Sequence, residues 1–169
     1  LAIEHMSFPS SLTQKLAVAE IEKSNEYTRQ FGLTLSHFDA VELVETRTLA
    51  LKGSGRIEFG GGVIEKIIRA FCHSPYVSKH NYTETLHDLT EMFYYYKNET
   101  LDLISDDDLI KFMKNSFDGT CQGSLELLAG RELNNMARSL RYGRDLHDTE
   151  NMLDDELVEG EEYDEYEDE

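Results

Sequence analysis

Apolar positions recur at helical spacing through most of the chain, most clearly between Ser78 and Leu101. There Tyr82, Leu86, Leu89, Phe93 and Tyr96 follow one another at intervals of 4, 3, 4 and 3, which places them on one face of an α-helix. Met92, Tyr94 and Tyr95 widen that stripe at its C-terminal end. A helix that is aromatic most of the way round is buried on more than one side, so this segment is predicted to be the central helix of a helical body.

The other segments are read around it. A first helix is predicted over Ser10 to Gln30, with Leu12, Leu16, Ala19 and Ile21 on its apolar side and Gly32 as its breaker. A second runs from Leu35 to Lys52, opened by Ser36 with Asp39 as an acidic capping pair and buried through Phe38, Val41, Val44, Thr48 and Leu51. Val63, Ile64, Ile67, Ile68 and Phe71 form a third, strongly amphipathic helix, ended by Ser74-Pro75. Ser105 caps the helix after the central one, and Asp106, Asp107 and Asp108 complement the positive end of its dipole. Ser124 opens the last helix, with Leu125, Leu128, Ala129, Leu133, Met136, Ala137 and Leu140 turned inward. Ala129 and Gly130 are small enough for another helix to come close.

Arg56-Ile57-Glu58-Phe59 breaks the helical period by alternating polar and apolar residues, as a short strand or an extended connector does. The expected architecture is therefore all-α or mostly α. It is a single-domain bundle of about six helices over residues 7–142, with one extended segment near residues 56–59. Residues 1–6 are set apart, because His5-Met6 resembles the remnant of a cloning junction.

Charge divides the chain more sharply than hydropathy does. Residues 143–169 carry 14 of the 34 acids and a single base, Arg144, for a net charge of −13, while the other 142 residues carry −5. The body is ordinary and the acidic tail is too poor in apolar residues to fold alone. Neither part has the basic patch that neutralises phosphates, so direct nucleic-acid binding is not expected. No apolar run has the length of a membrane span, and Cys72 and Cys121 make no disulfide framework, which suits a reducing cytoplasm.

Three places carry residue types with known chemistry. His80, Glu84, His87 and Glu91 form a second stripe on the central helix, with the Glu-x-x-His spacing of carboxylate-bridged metal sites. That stripe lies roughly 200° from the apolar one, so it is expected to face solvent, and no second Glu-x-x-His exists in the chain. Gly60, Gly61 and Gly62 feed a helix N-terminus, where backbone N–H groups can cradle an anion. They lack the Gly-Lys-Ser/Thr ending of a Walker loop, and a sharp reversal under close packing is the plainer reading. Cys121, just before a helix N-terminus, is the one candidate nucleophile, with His73, His80 and His87 as partners in principle; a small packed residue is the plainer reading.

The runs RIEFGGGVIEKIIRAF (56–71) and FYYYKNETLDLISDDDLIKFMKNSF (93–117), with Gly123-Ser124-Leu125 and Leu128-Ala129-Gly130 after them, resemble an uncharacterised family of small helical proteins from clostridial and related Firmicutes bacteria. The resemblance spans roughly residues 10–140. It implies a bacterial, cytoplasmic protein, and no activity, cofactor or catalytic residue comes with it.

The leading expectation is a non-catalytic helical protein-interaction module that needs no cofactor. Its acidic tail would contact a basic protein partner, with Glu161, Glu162, Tyr163, Asp164, Glu165 and Tyr166 as the contact residues. A tail that only keeps the protein soluble is the bland version. The alternative is a small-molecule or metal-binding enzyme with its site near Gly60–Gly62 and Cys121, or on the His80–Glu91 stripe. A homodimer through the aromatic helix is compatible with either.

Overall fold

A computed structural model describes residues 2–143, with side chains from residue 12 onward. The fold is mostly α, and no strand occurs among the described residues. The chain divides between Tyr95 and Tyr96 into two compact units.

The first unit holds α1 (Ala2–Lys23), α2 (Asn25–Thr28) with a 3-10 turn at Arg29–Phe31, α3 (His37–Leu51), α4 (Gly62–Phe71) and most of α5 (Tyr82–Glu99). Helix α1 packs on α3 and α4. Its inward residues are Ala17, Val18, Ile21 and Ser24, a 3–4 spacing on one face. Of the expected apolar side only Ile21 is buried; Leu12 and Leu16 are 60% and 61% exposed, and Ala19 is exposed too. The helix also stops earlier than expected. Ser24 turns its hydroxyl onto the Ile21 carbonyl, which competes with continued helical pairing. Gly32, at φ 78°, then ends the 3-10 turn in a left-handed conformation suited to glycine.

Helix α3 begins as the sequence predicts. The Ser36 hydroxyl accepts from the Asp39 N–H at 3.0 Å, and the Asp39 carboxylate accepts from the Ser36 N–H at 3.4 Å, closing a capping box. Its buried face is Ala40, Leu43, Val44 and Arg47, however, and Phe38 is 66% exposed. The helix is rotated from the expected stripe because an arginine, rather than Thr48 or Leu51, is drawn inside.

Helix α5 has its aromatic stripe where the period puts it. Tyr82, Leu86, Leu89, Phe93 and Tyr96 are all buried. Within the first unit, α5 is tied to α3 by Thr83 Oγ1 donating to Asp39 and by a contact of 3.0 Å between Thr46 Oγ1 and His87 Nδ1.

The second unit holds the end of α5, then α6 (Asp106–Asp118), α7 (Leu125–Leu127), a π-helical turn (Leu128–Leu133) and α8 (Asn134–Arg141). Ser105 and Ser124 cap α6 and α7 by accepting from the N–H groups of Asp108 and Leu127. The π turn has a plain origin in the sequence. Leu128 and Leu133 are both fully buried but five residues apart, a spacing that fits i→i+5 pairing and not an α-turn. The Tyr96 hydroxyl donates to the Ala129 carbonyl within that turn at 2.6 Å. Gly130 does not serve close helix packing as expected, since a Cβ there would meet nothing within 4 Å.

The connection from α5 to α6 is fixed by a buried lysine. Lys97 Nζ donates to the Ile104 carbonyl at 2.5 Å and lies 2.8 Å from Asp102 and 3.1 Å from Asp106. This staple holds Leu101 and Asp102 at φ 56° and 60°, in the left-handed region that costs a leucine most.

Among the described residues two buried side-chain polar atoms, the hydroxyls of Tyr82 and Thr90, are left unsatisfied. The Tyr82 hydroxyl has no hydrogen-bond partner of acceptable geometry. Burial raises its phenol from 10.0 to about 12, with the Thr28 side chain lowering it in part and Cys72 adding to it. The folded chain thus keeps this proton where the unfolded chain has released it. Its stability contribution is complete below pH 10.0 and is lost as pH rises to about 12. Tyr82→Phe is expected to leave the midpoint of thermal unfolding at pH 7 unchanged or raised, because no hydrogen bond is lost. The same variant should flatten the decline between pH 10.0 and about 12, as thermal melts across that range will show.

Candidate functional site

The segment Arg56–Phe59 is extended, and its alternation is inside out. Ile57 and Phe59 are 75% and 76% exposed, while the charged residues between and before them turn inward. An extended chain sends successive side chains to opposite sides, so burying Glu58 forces both of its apolar neighbours into solvent.

Glu58 is held on all sides. Its Oε2 accepts from Arg56 Nε at 2.9 Å and from the Tyr94 hydroxyl at 2.6 Å. Its Oε1 accepts from the Val63 N–H at 3.3 Å and lies 3.4 Å from Nη1 of Arg47. Arg47, itself 4% exposed, also donates to the Gly61 carbonyl at 3.3 Å. The Arg56 guanidinium stands 5.8 Å from the ring centroids of both Phe93 and Tyr94, within cation–π range. Burial first, and then the Glu58 charge and hydrogen bond, hold the Tyr94 phenol far above its usual range. Helices α3, α4 and α5 each contribute to this one carboxylate.

The glycine run makes the approach feasible. Gly60 and Gly62 have φ of 61° and 49°, a region open to residues without a Cβ. A Cβ at Gly62 would lie 2.6 Å from Glu58 Oε1, and one at Gly60 would collide with Glu20. The Gly61 N–H donates to Glu20 Oε1 at 2.7 Å. At the start of α4, where backbone N–H groups favour negative charge, the N–H groups of Gly61 and Val63 are thus directed at two carboxylates of the chain itself.

The other sequence-predicted residues are not brought together into a site. His80, Glu84 and Glu91 are exposed, and His87 is half-buried. Among the described residues no group of three or more His, Cys, Asp or Glu could hold a metal ion. Cys121 is 2% exposed, its N–H donating to the Ser116 carbonyl. Glu161, Glu162, Tyr163, Asp164, Glu165 and Tyr166 lie outside the described residues.

Sequence reasoning missed Arg47, Glu58 and Tyr94 as a unit. The available signal was a charged residue in the inward phase of two neighbouring segments.

A protein-family model described as "Family of unknown function (DUF6323)" matches residues 20–146. The chain belongs to this family. No curated protein and no solved structure matches it. The DUF6323 span contains Glu20, Arg47, Glu58, Gly60–Gly62 and Tyr94, and ends before most of the acidic run. Among the described residues no helix is long and apolar enough to cross a membrane.

Removing one side of a buried ion pair strands the other charge, at a cost of about 3–5 kcal/mol. Glu58→Ala is expected to lower stability by that order in denaturant titrations, and Tyr94→Phe by about 1–2 kcal/mol. A double-mutant cycle between them should give a coupling well above zero, because both report on one hydrogen bond.

Proposed function

We propose that this DUF6323 member is a non-catalytic protein-interaction module of a bacterial cytoplasm, and that Ile57 and Phe59 are its anchor residues. The inverted polarity of residues 56–59 carries this reading. Leaving two large apolar side chains in water forgoes roughly 1.5–3 kcal/mol each. Here the outward orientation is enforced by a buried, fully partnered carboxylate. Apolar side chains held rigidly in solvent are what an interface hot spot requires before its partner arrives.

Two features extend the surface. Leu12, Leu16 and Glu20 fall on one face of α1 at intervals of four, and Glu20 reaches the Gly61 N–H. The exposed Leu12 and Leu16 therefore lead along α1 toward the same loop. The acidic tail adds −13 of net charge, which favours a partner whose apolar pocket is bordered by basic residues and speeds their encounter.

The test begins with crosslinking and co-purification from the native host to name the partner. Affinity of the purified pair is then measured for the wild type, for Ile57→Ser/Phe59→Ser, and for a chain truncated after Tyr142. The double variant should melt as the wild type does, within about 0.5 kcal/mol, yet bind at least about tenfold more weakly. The truncated chain should associate more slowly and lose most of its salt dependence. Unchanged affinity in the double variant removes the anchor assignment, and unchanged salt dependence on truncation removes the role of the tail.

A further inference from the structure

Helices α1, α2 and α4 border a cleft of about 700 Å³ that the apolar anchors do not involve. Glu20 and Lys23 line it from α1, Glu26 and Tyr27 from α2, and Glu65 and Arg69 from α4. Its volume lies within the roughly 300–1,000 Å³ of small-molecule sites.

Glu20, Lys23, Glu26 and Arg69 are exposed at the cleft and Glu65 is half-buried. The Arg69 guanidinium stands 4.6 Å from the centroid of the Tyr27 ring. Tyr27 is in turn fixed by a 2.8 Å contact between its hydroxyl and His73 Nε2, and by edge-on packing against Phe31. Glu65 precedes Arg69 by four residues on α4, the order in which a glutamate and a cation normally pair across a helical turn. No ion pair joins them. Among the described residues Lys23, Glu26, Glu65 and Arg69 pair with no other charge, whereas Glu20 is spent on the Gly61 N–H. Two cations and two carboxylates are thus held around one cleft without neutralising one another.

We propose that this cleft binds a small zwitterion, a free amino acid or a short peptide with unblocked ends. Its carboxylate is received by Arg69, whose planar fork suits two parallel hydrogen bonds, with Lys23 adding positive charge. Its ammonium is received by Glu26 and Glu65. A purely anionic ligand would meet three carboxylates, and a purely cationic one would meet two bases. Only a ligand carrying both signs is attracted at both ends, and the Tyr27 body supplies apolar wall between them.

The experiment is calorimetric titration of the full chain with the free proteinogenic amino acids and with alanyl dipeptides, up to about 10 mM. Each binder is repeated in its N-acetylated and C-amidated forms. Saturable binding is expected for at least one unblocked probe, weakened about tenfold or more by blocking either end. Arg69→Gln should weaken the unblocked and N-acetylated probes while leaving the C-amide unaffected. Glu65→Gln should spare the N-acetylated form. No saturable binding by any probe overturns the proposal, as does binding indifferent to blocked ends. The ligand comparison is made on the wild-type chain, so misfolding of a variant does not decide it.

Discussion

Everything near the candidate interface follows from one carboxylate taken out of water. Burying an ionised glutamate costs several kcal/mol unless cations and hydrogen-bond donors replace its hydration. Glu58 gathers Arg56, Arg47, the Tyr94 hydroxyl and the Val63 N–H. Each of those partners then constrains its own element. Arg47 is drawn to the inner face of α3, Val63 lies at the start of α4, and Tyr94 joins the stripe of α5 to the same carboxylate. The outward display of Ile57 and Phe59 is the remaining geometric consequence, because neighbours on an extended chain cannot share a side.

That dependence explains which parts of the fold could be read in the sequence. The central helix was legible because its stripe from Tyr82 to Tyr96 is apolar without interruption. The capping box at Ser36 and the cap at Ser105 were legible because they are local, a side chain meeting a backbone N–H three residues on. The faces of α1 and α3 were not. Periodicity reports that a helix is amphipathic, but its phase is settled by which residues find partners. Once Arg47 is inside, Phe38 is carried out, and no count of apolar positions within α3 anticipates a glutamate from another segment. The same holds for the candidate sites. The alternation at 56–59 was visible, but its polarity depended on Arg47 and Tyr94. The cleft bordered by α1, α2 and α4 depended on three helices converging, with no motif in any one of them.

The family match adds a boundary to this picture. The Glu58 cluster, the glycine turn and the cleft residues all lie within the matched residues 20–146, while Leu12, Leu16 and most of the acidic run lie outside them. The organising charges thus sit in the part of the chain that carries the family likeness, and the exposed leucines of α1 sit beyond it.

The π turn at Leu128–Leu133 bears on how such a helix changes over descent. One residue more than an α-helix would use separates two leucines that must share a face. A relative shorter by a single codon there could close the same face with ordinary turns and keep Met136, Ala137 and Leu140 facing inward. It would forfeit only the carbonyl that Tyr96 now occupies. Insertions and deletions in this helix are thus to be looked for singly, at that one turn, with phenylalanine replacing the tyrosine where the extra residue is gone.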